Sequence, residues 1–153
     1  MILLAETIYF YYLSLKTKFV SFEDYKKWLD ETFASDNLQN DILLKLEMCT
    51  ESEERTMDEL YIYLFDRLVS IDYYAVVKMI ASELKVKYTD NPELLKEFTD
   101  KLYDIWNLMS LPTEIAYEKP FFVLNFVGEP FWWGDRAQVI KNINWLFDYY
   151  GIQ

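Results

Sequence analysis

Asn91-Pro-Glu-Leu-Leu-Lys-Glu-Phe-Thr-Asp-Lys-Leu-Tyr-Asp-Ile-Trp-Asn-Leu-Met109 is the stretch that decides the fold. Leu94, Leu95, Phe98, Leu102, Ile105, Trp106 and Met109 recur at three- and four-residue intervals, the spacing of one helix face. Asn91 and Pro92 suit the cap and first turn, where a missing N–H costs nothing. Glu97, Asp100 and Asp104 alternate with Lys96 and Lys101 on the polar side, which reads as surface ion pairing three and four residues apart.

Working outward, the same period recurs. Leu4, Ile8, Tyr11, Tyr12 and Leu15 form one stripe, and Phe22, Tyr25, Leu29 and Phe33 form another behind Ser21 as N-cap. Leu38, Ile42, Leu46 and Cys49 mark a shorter segment. Thr56, with Glu59 three residues on, reads as a capping box before Met57, Leu60, Tyr61, Leu64 and Leu68. Asp72 precedes Tyr73, Val76, Val77, Ile80 and Leu84. The last stripe, Val139, Ile140, Ile143, Leu146, Phe147 and Tyr150, is stopped by Gly151. The expectation is a mainly α protein, a compact bundle of about seven helices in one domain spanning residues 1–153. Residues 1–91 hold neither glycine nor proline, so no phosphate-cradling glycine loop exists there. Residues 111–134 hold three of the four prolines and the run Phe121-Phe-Val-Leu-Asn-Phe-Val127, which reads as an irregular or short-strand segment.

Composition restricts the chemistry. The 153 residues contain 26 acidic and 15 basic side chains, a net charge of −11, and no histidine. Histidine-based triads, histidine-ligated zinc and the usual neutral-pH base are therefore excluded. Nucleic-acid binding needs clustered Lys and Arg, which the charge opposes. The lone Cys49 excludes an internal disulfide and fits a reducing, cytoplasmic setting. The opening residues lack the basic region and cleavage site of a secretory signal, and no apolar run of about 18 residues suggests a membrane span. No constellation of catalytic groups and no cofactor or metal motif stands out, which points to binding rather than an enzyme.

The acid is unevenly placed. Residues 21–60 carry 12 acidic against 4 basic groups and residues 90–118 carry 7 against 2. Glu51, Glu53, Glu54, Asp58 and Glu59 form the densest run, at an expected helix–helix turn. Such a run suits a self-capping turn, a patch for a basic partner, or, more weakly, carboxylate ligands for a hard cation. The segment Gly128-Glu-Pro-Phe131-Trp132-Trp133-Gly134 places three rings where one helical stripe cannot hold them all. They suit either a lid on the bundle or exposed anchors for a protein partner.

Three patterns carry a family resemblance: Ile8-Tyr9 with Val20-Ser-Phe-Glu-Asp-Tyr25 and Trp28-Leu29, Asp90-Asn-Pro-Glu-Leu-Leu95 with Leu111-Pro-Thr-Glu-Ile115, and Asn142-Ile-Asn-Trp-Leu146. With these, the chain resembles small acidic helical immunity proteins of bacteria, encoded beside polymorphic or contact-dependent toxins. The resemblance implies a cytoplasmic protein that binds and neutralises a cognate toxin domain. A basic, nuclease-like toxin would complement the acidic surface. A phage- or mobile-element-encoded inhibitor mimicking nucleic-acid charge is the alternative, and a carboxylate–metal hydrolase the third.

Overall fold

In the computed structural model, residues 3–35, 40–67 and 69–153 are described. Of the described residues, 79% are helical. Among the described residues there are nine α-helices and no strand. The chain separates into two compact units, Met1–Ile71 and Asp72–Gln153.

The first unit holds α1 (Leu4–Lys16), α2 (Phe22–Ser35), α3 (Asp41–Glu47) and α4 (Glu53–Tyr61), the last running into a π turn at Ile62–Asp66. Ser21 caps α2 as expected, its Oγ accepting from Asp24 N at 3.1 Å. The cap of α4 lies four residues earlier than the Thr56 reading. Ser52 Oγ accepts from Arg55 N at 3.2 Å, and Thr56 is inside the helix, buried, donating to the Cys49 carbonyl at 3.0 Å. Ser52 exposes its hydroxyl to the free amides of the first turn, whereas burial keeps Thr56 on the core side. Ile8, Tyr9, Leu13, Leu15, Tyr25, Leu29, Leu46 and Leu60 fill the core. Leu38 and Leu68 of the expected stripes lie outside the described residues.

The second unit holds α5 (Tyr73–Asp90), α6 (Leu95–Leu108), α7 (Thr113–Ala116), α8 (Lys119–Phe126) and α9 (Arg136–Tyr150). Short 3-10 turns at Pro92–Leu94 and Glu129–Trp133 precede α6 and α9. Asp72 caps α5 by accepting from Ala75 N at 3.3 Å, and Gly151, at φ 69°, ends α9 in the left-handed region. Val76, Val77, Ile80, Leu84, Leu95, Leu102, Ile105, Val139, Ile143 and Leu146 form its core.

Two sequence expectations are corrected. Among the described residues the α-helices number nine rather than about seven, and residues 111–134 are largely helical rather than irregular or strand-like. Pro120 lies in the first turn of α8, where it starts a helix instead of breaking one. Phe121, Val123, Leu124 and Val127 are buried at helical spacing against α6 and α9, and this packing overrides the strand preference of the aromatic and β-branched run.

Candidate partner-binding site

Between α6, α8 and the second 3-10 turn lies a cavity of about 350 Å³, lined by Thr99, Asp100, Tyr103, Asp104, Asn125, Gly128, Glu129 and Trp132. Its floor depends on a close approach. A methyl placed on Gly128 would come within 2.6 Å of Thr99 Cβ and closer still to Oγ1, so only glycine lets the end of α8 meet α6 here. Thr99 is buried, and its hydroxyl is held by the Lys96 carbonyl at 3.0 Å.

The 3-10 turn is tied at both ends. Phe131 N donates to the Gly128 carbonyl at 3.0 Å, and Asp135 N donates to the Pro130 carbonyl at 3.0 Å. Gly134, at φ 76°, supplies the left-handed residue that closes it. Asn142 Nδ2 donates to the Val127 carbonyl at 3.2 Å, fixing the chain just before the turn to α9. Pro130 is the buried residue of the turn.

The turn separates its three rings. Phe131 is half-buried under the Arg136 guanidinium, 6.0 Å from the ring centre, and Arg136 also donates to the Pro92 carbonyl at 3.2 Å. Trp132 and Trp133 are 76% and 63% exposed. These two are not a plug for the second unit; their rings face solvent. Tryptophan is among the residue types enriched at binding hot spots.

Asp100, Asp104, Glu129 and Tyr103 are exposed at the rim. Lys96 Nζ sits 3.1 Å from Asp100, which bears out the expected pairing along α6 for that carboxylate. Among the described residues no lysine or arginine makes an ion pair with Asp104 or Glu129. The tertiary fold thus brings together the acids of residues 90–118 and the aromatic loop, which the sequence leaves about 30 positions apart. Asp104, Tyr103, Asn125 and Glu129 were not legible as a group, because Asp100 and Asp104 read as ordinary helix-surface charges. The one signal was Gly128 at the mouth of the aromatic loop.

In the first unit, the run from Glu51 to Glu59 does serve its own helix. Glu53 and Glu54 occupy the first turn of α4, where exposed N–H groups favour negative charge. Arg55 Nη1 pairs with Glu51 at 3.2 Å and Lys18 Nζ with Glu53 at 3.7 Å. Glu54 and Asp58 are exposed and Glu59 half-buried.

Other polar groups have structural explanations. Cys49 is a buried free thiol. Burial, aided by neighbouring acid and tyrosine groups, pushes the Tyr25 phenol well above its ordinary range, and burial does the same to Tyr150. Burial and a side-chain hydrogen bond with Asp30 raise the Glu47 carboxyl. Among the described residues, no three Cys, Asp or Glu side chains are gathered so as to hold a metal ion, and no helix is long and apolar enough to cross a membrane. Set against protein-family models, curated proteins and solved structures, the chain matches none.

Proposed function

We propose that this protein is a binding protein, not an enzyme, whose target is a basic protein surface, and that it acts as an immunity-type inhibitor of a toxin domain. The observation that carries this reading is the pair of exposed indoles, Trp132 and Trp133, held on a pinned turn beside a carboxylate-lined cavity. Indoles supply affinity by being desolvated at a contact, and carboxylates select a cationic partner and speed its approach. The absence of histidine leaves the site without a neutral-pH base, in keeping with a role in recognition. The acidic run at Glu51, Glu53, Glu54, Asp58 and Glu59 contributes charge that steers a basic partner rather than the anchoring contact.

The direct test is complex formation with a basic toxin domain, if one is encoded beside the gene. Trp132→Ala/Trp133→Ala should weaken that complex by at least about 2 kcal/mol, near thirtyfold, as hot-spot aromatics do, and should remove protection in cells. An equally tight complex with the double variant rejects this surface as the anchor. A gene lying in a phage, with no toxin neighbour, would favour the nucleic-acid-mimicking inhibitor instead.

A further inference from the structure

Resting on that reading of the surface, we propose that the cavity between α6, α8 and the Glu129–Trp133 turn is a socket for one guanidinium group, brought by an arginine side chain of the partner protein. The occupant must be cationic: Asp100, Asp104 and Glu129 line the space, and among the described residues no lysine or arginine does. Asp100 is shared with Lys96, so Asp104 and Glu129 are the acceptors left for a visitor. A bare metal ion does not suit them, since among the described residues no three carboxylates are gathered for one.

The remaining walls distinguish the kinds of organic cation. Trp132 and Tyr103 are aromatic rings in the same lining, and Asn125 adds an amide. A guanidinium is flat and weakly hydrated, stacks on an indole face, and presents a fork of N–H donors to carboxylates. An ammonium is a compact, strongly hydrated point charge that gains less from such a lining. About 350 Å³ is at the small end of ligand cavities, room for a side chain and not for a folded segment. Free arginine is disfavoured, because its own carboxylate would enter a lining that contains three acids and, among the described residues, no cation. An arginine within a polypeptide has no such charge. The walls are held in advance by the Gly128–Thr99 approach and the hydrogen bonds around the turn, which lowers the ordering cost of binding.

The experiment is a titration of the isotopically labelled full chain, followed at the Trp132 indole N–H and the Asn125 side-chain amide by NMR. The probes are N-acetylarginine amide, N-acetyllysine amide and free arginine. N-acetylarginine amide should shift both signals saturably, with the lysine analogue and free arginine each weaker. Asp104→Asn/Glu129→Gln should weaken the arginine probe at least about tenfold, as expected for losing charge-assisted hydrogen bonds. Absence of a saturable shift, equal binding of the lysine analogue, or indifference to the double substitution overturns the socket. Tighter binding of free arginine than of its capped form overturns the partner as its source. Should the double variant lose its fold, Trp132→Leu, which keeps both acids, must weaken the arginine probe by losing its stacking face. A partner complex that needs Trp132 while the arginine probe finds no site rejects the socket alone. A seated arginine probe with a complex indifferent to Trp132 rejects the partner reading instead.

Discussion

Gly128 shows how much one absent side chain can decide. Its φ of −95° is open to any residue, so the requirement is space, not backbone freedom. Gly128→Ala drives a methyl into buried Thr99 and should cost about 1–3 kcal/mol, as overpacking does, read as a lower denaturant midpoint. An unchanged midpoint would mean that α6 yields freely. Glu47 makes a contrasting case at the same scale, since its carboxyl is raised above an ordinary 4.5 by burial and by Asp30. A carboxyl with a higher folded than unfolded pKa favours folding most when protonated. Its contribution is complete below about pH 4.5 and is lost as the pH climbs through the folded value. Glu47→Gln should therefore stabilise the protein at pH 7, by less than about 1 kcal/mol because the group is half-exposed, and should have little effect at pH 4. Melting curves at the two pH values check this; a gain that grows toward acid would reverse the assignment.

Among the elements, caps and stripes translate directly from sequence to structure where local chemistry is in control. Ser21, Asp72 and Gly151 start or stop the helices that their neighbours announce. Thr56-Met-Asp-Glu59 has the spacing of a capping box, but Thr56 is buried inside α4 and Ser52 Oγ accepts from Arg55 N, so Ser52 does the capping. Ser52→Ala should cost about 1 kcal/mol in thermal or denaturant melts. A smaller loss from Ser52→Ala than from Ser21→Ala would argue that α4 is held by packing alone. The helical state of α8 has a different origin. Phe121 to Val127 has strand-like composition, and its state is chosen by the partners α6 and α9, which no local window contains. The candidate site shares that limit: Trp132 and Trp133 stand out in the sequence, while the juxtaposition of Trp132 with Asp104 arises only when α6 and the 3-10 turn line one cavity.

On the scale of the whole molecule, the charge of −11 sets how partners arrive more than how the chain holds together. Reversing charge at Glu53, Glu54 and Glu59 should slow association with a basic partner and flatten its salt dependence, leaving dissociation nearly unchanged. Stopped-flow mixing at two ionic strengths checks this, and unaltered kinetics would remove the run from the encounter. The five tryptophans add an optical consequence. Trp106 keeps its Nε1 buried without a hydrogen-bond partner, Trp28 leans on Tyr11, and Trp145 is stacked on Tyr149 beneath Lys119. Trp132 and Trp133 are the exposed ones, whereas Trp28, Trp106 and Trp145 are half-buried. The long-wavelength edge of the protein's own fluorescence therefore comes mainly from the two rings assigned to the contact. An unlabelled sample can signal capture by a shift of that edge toward the blue.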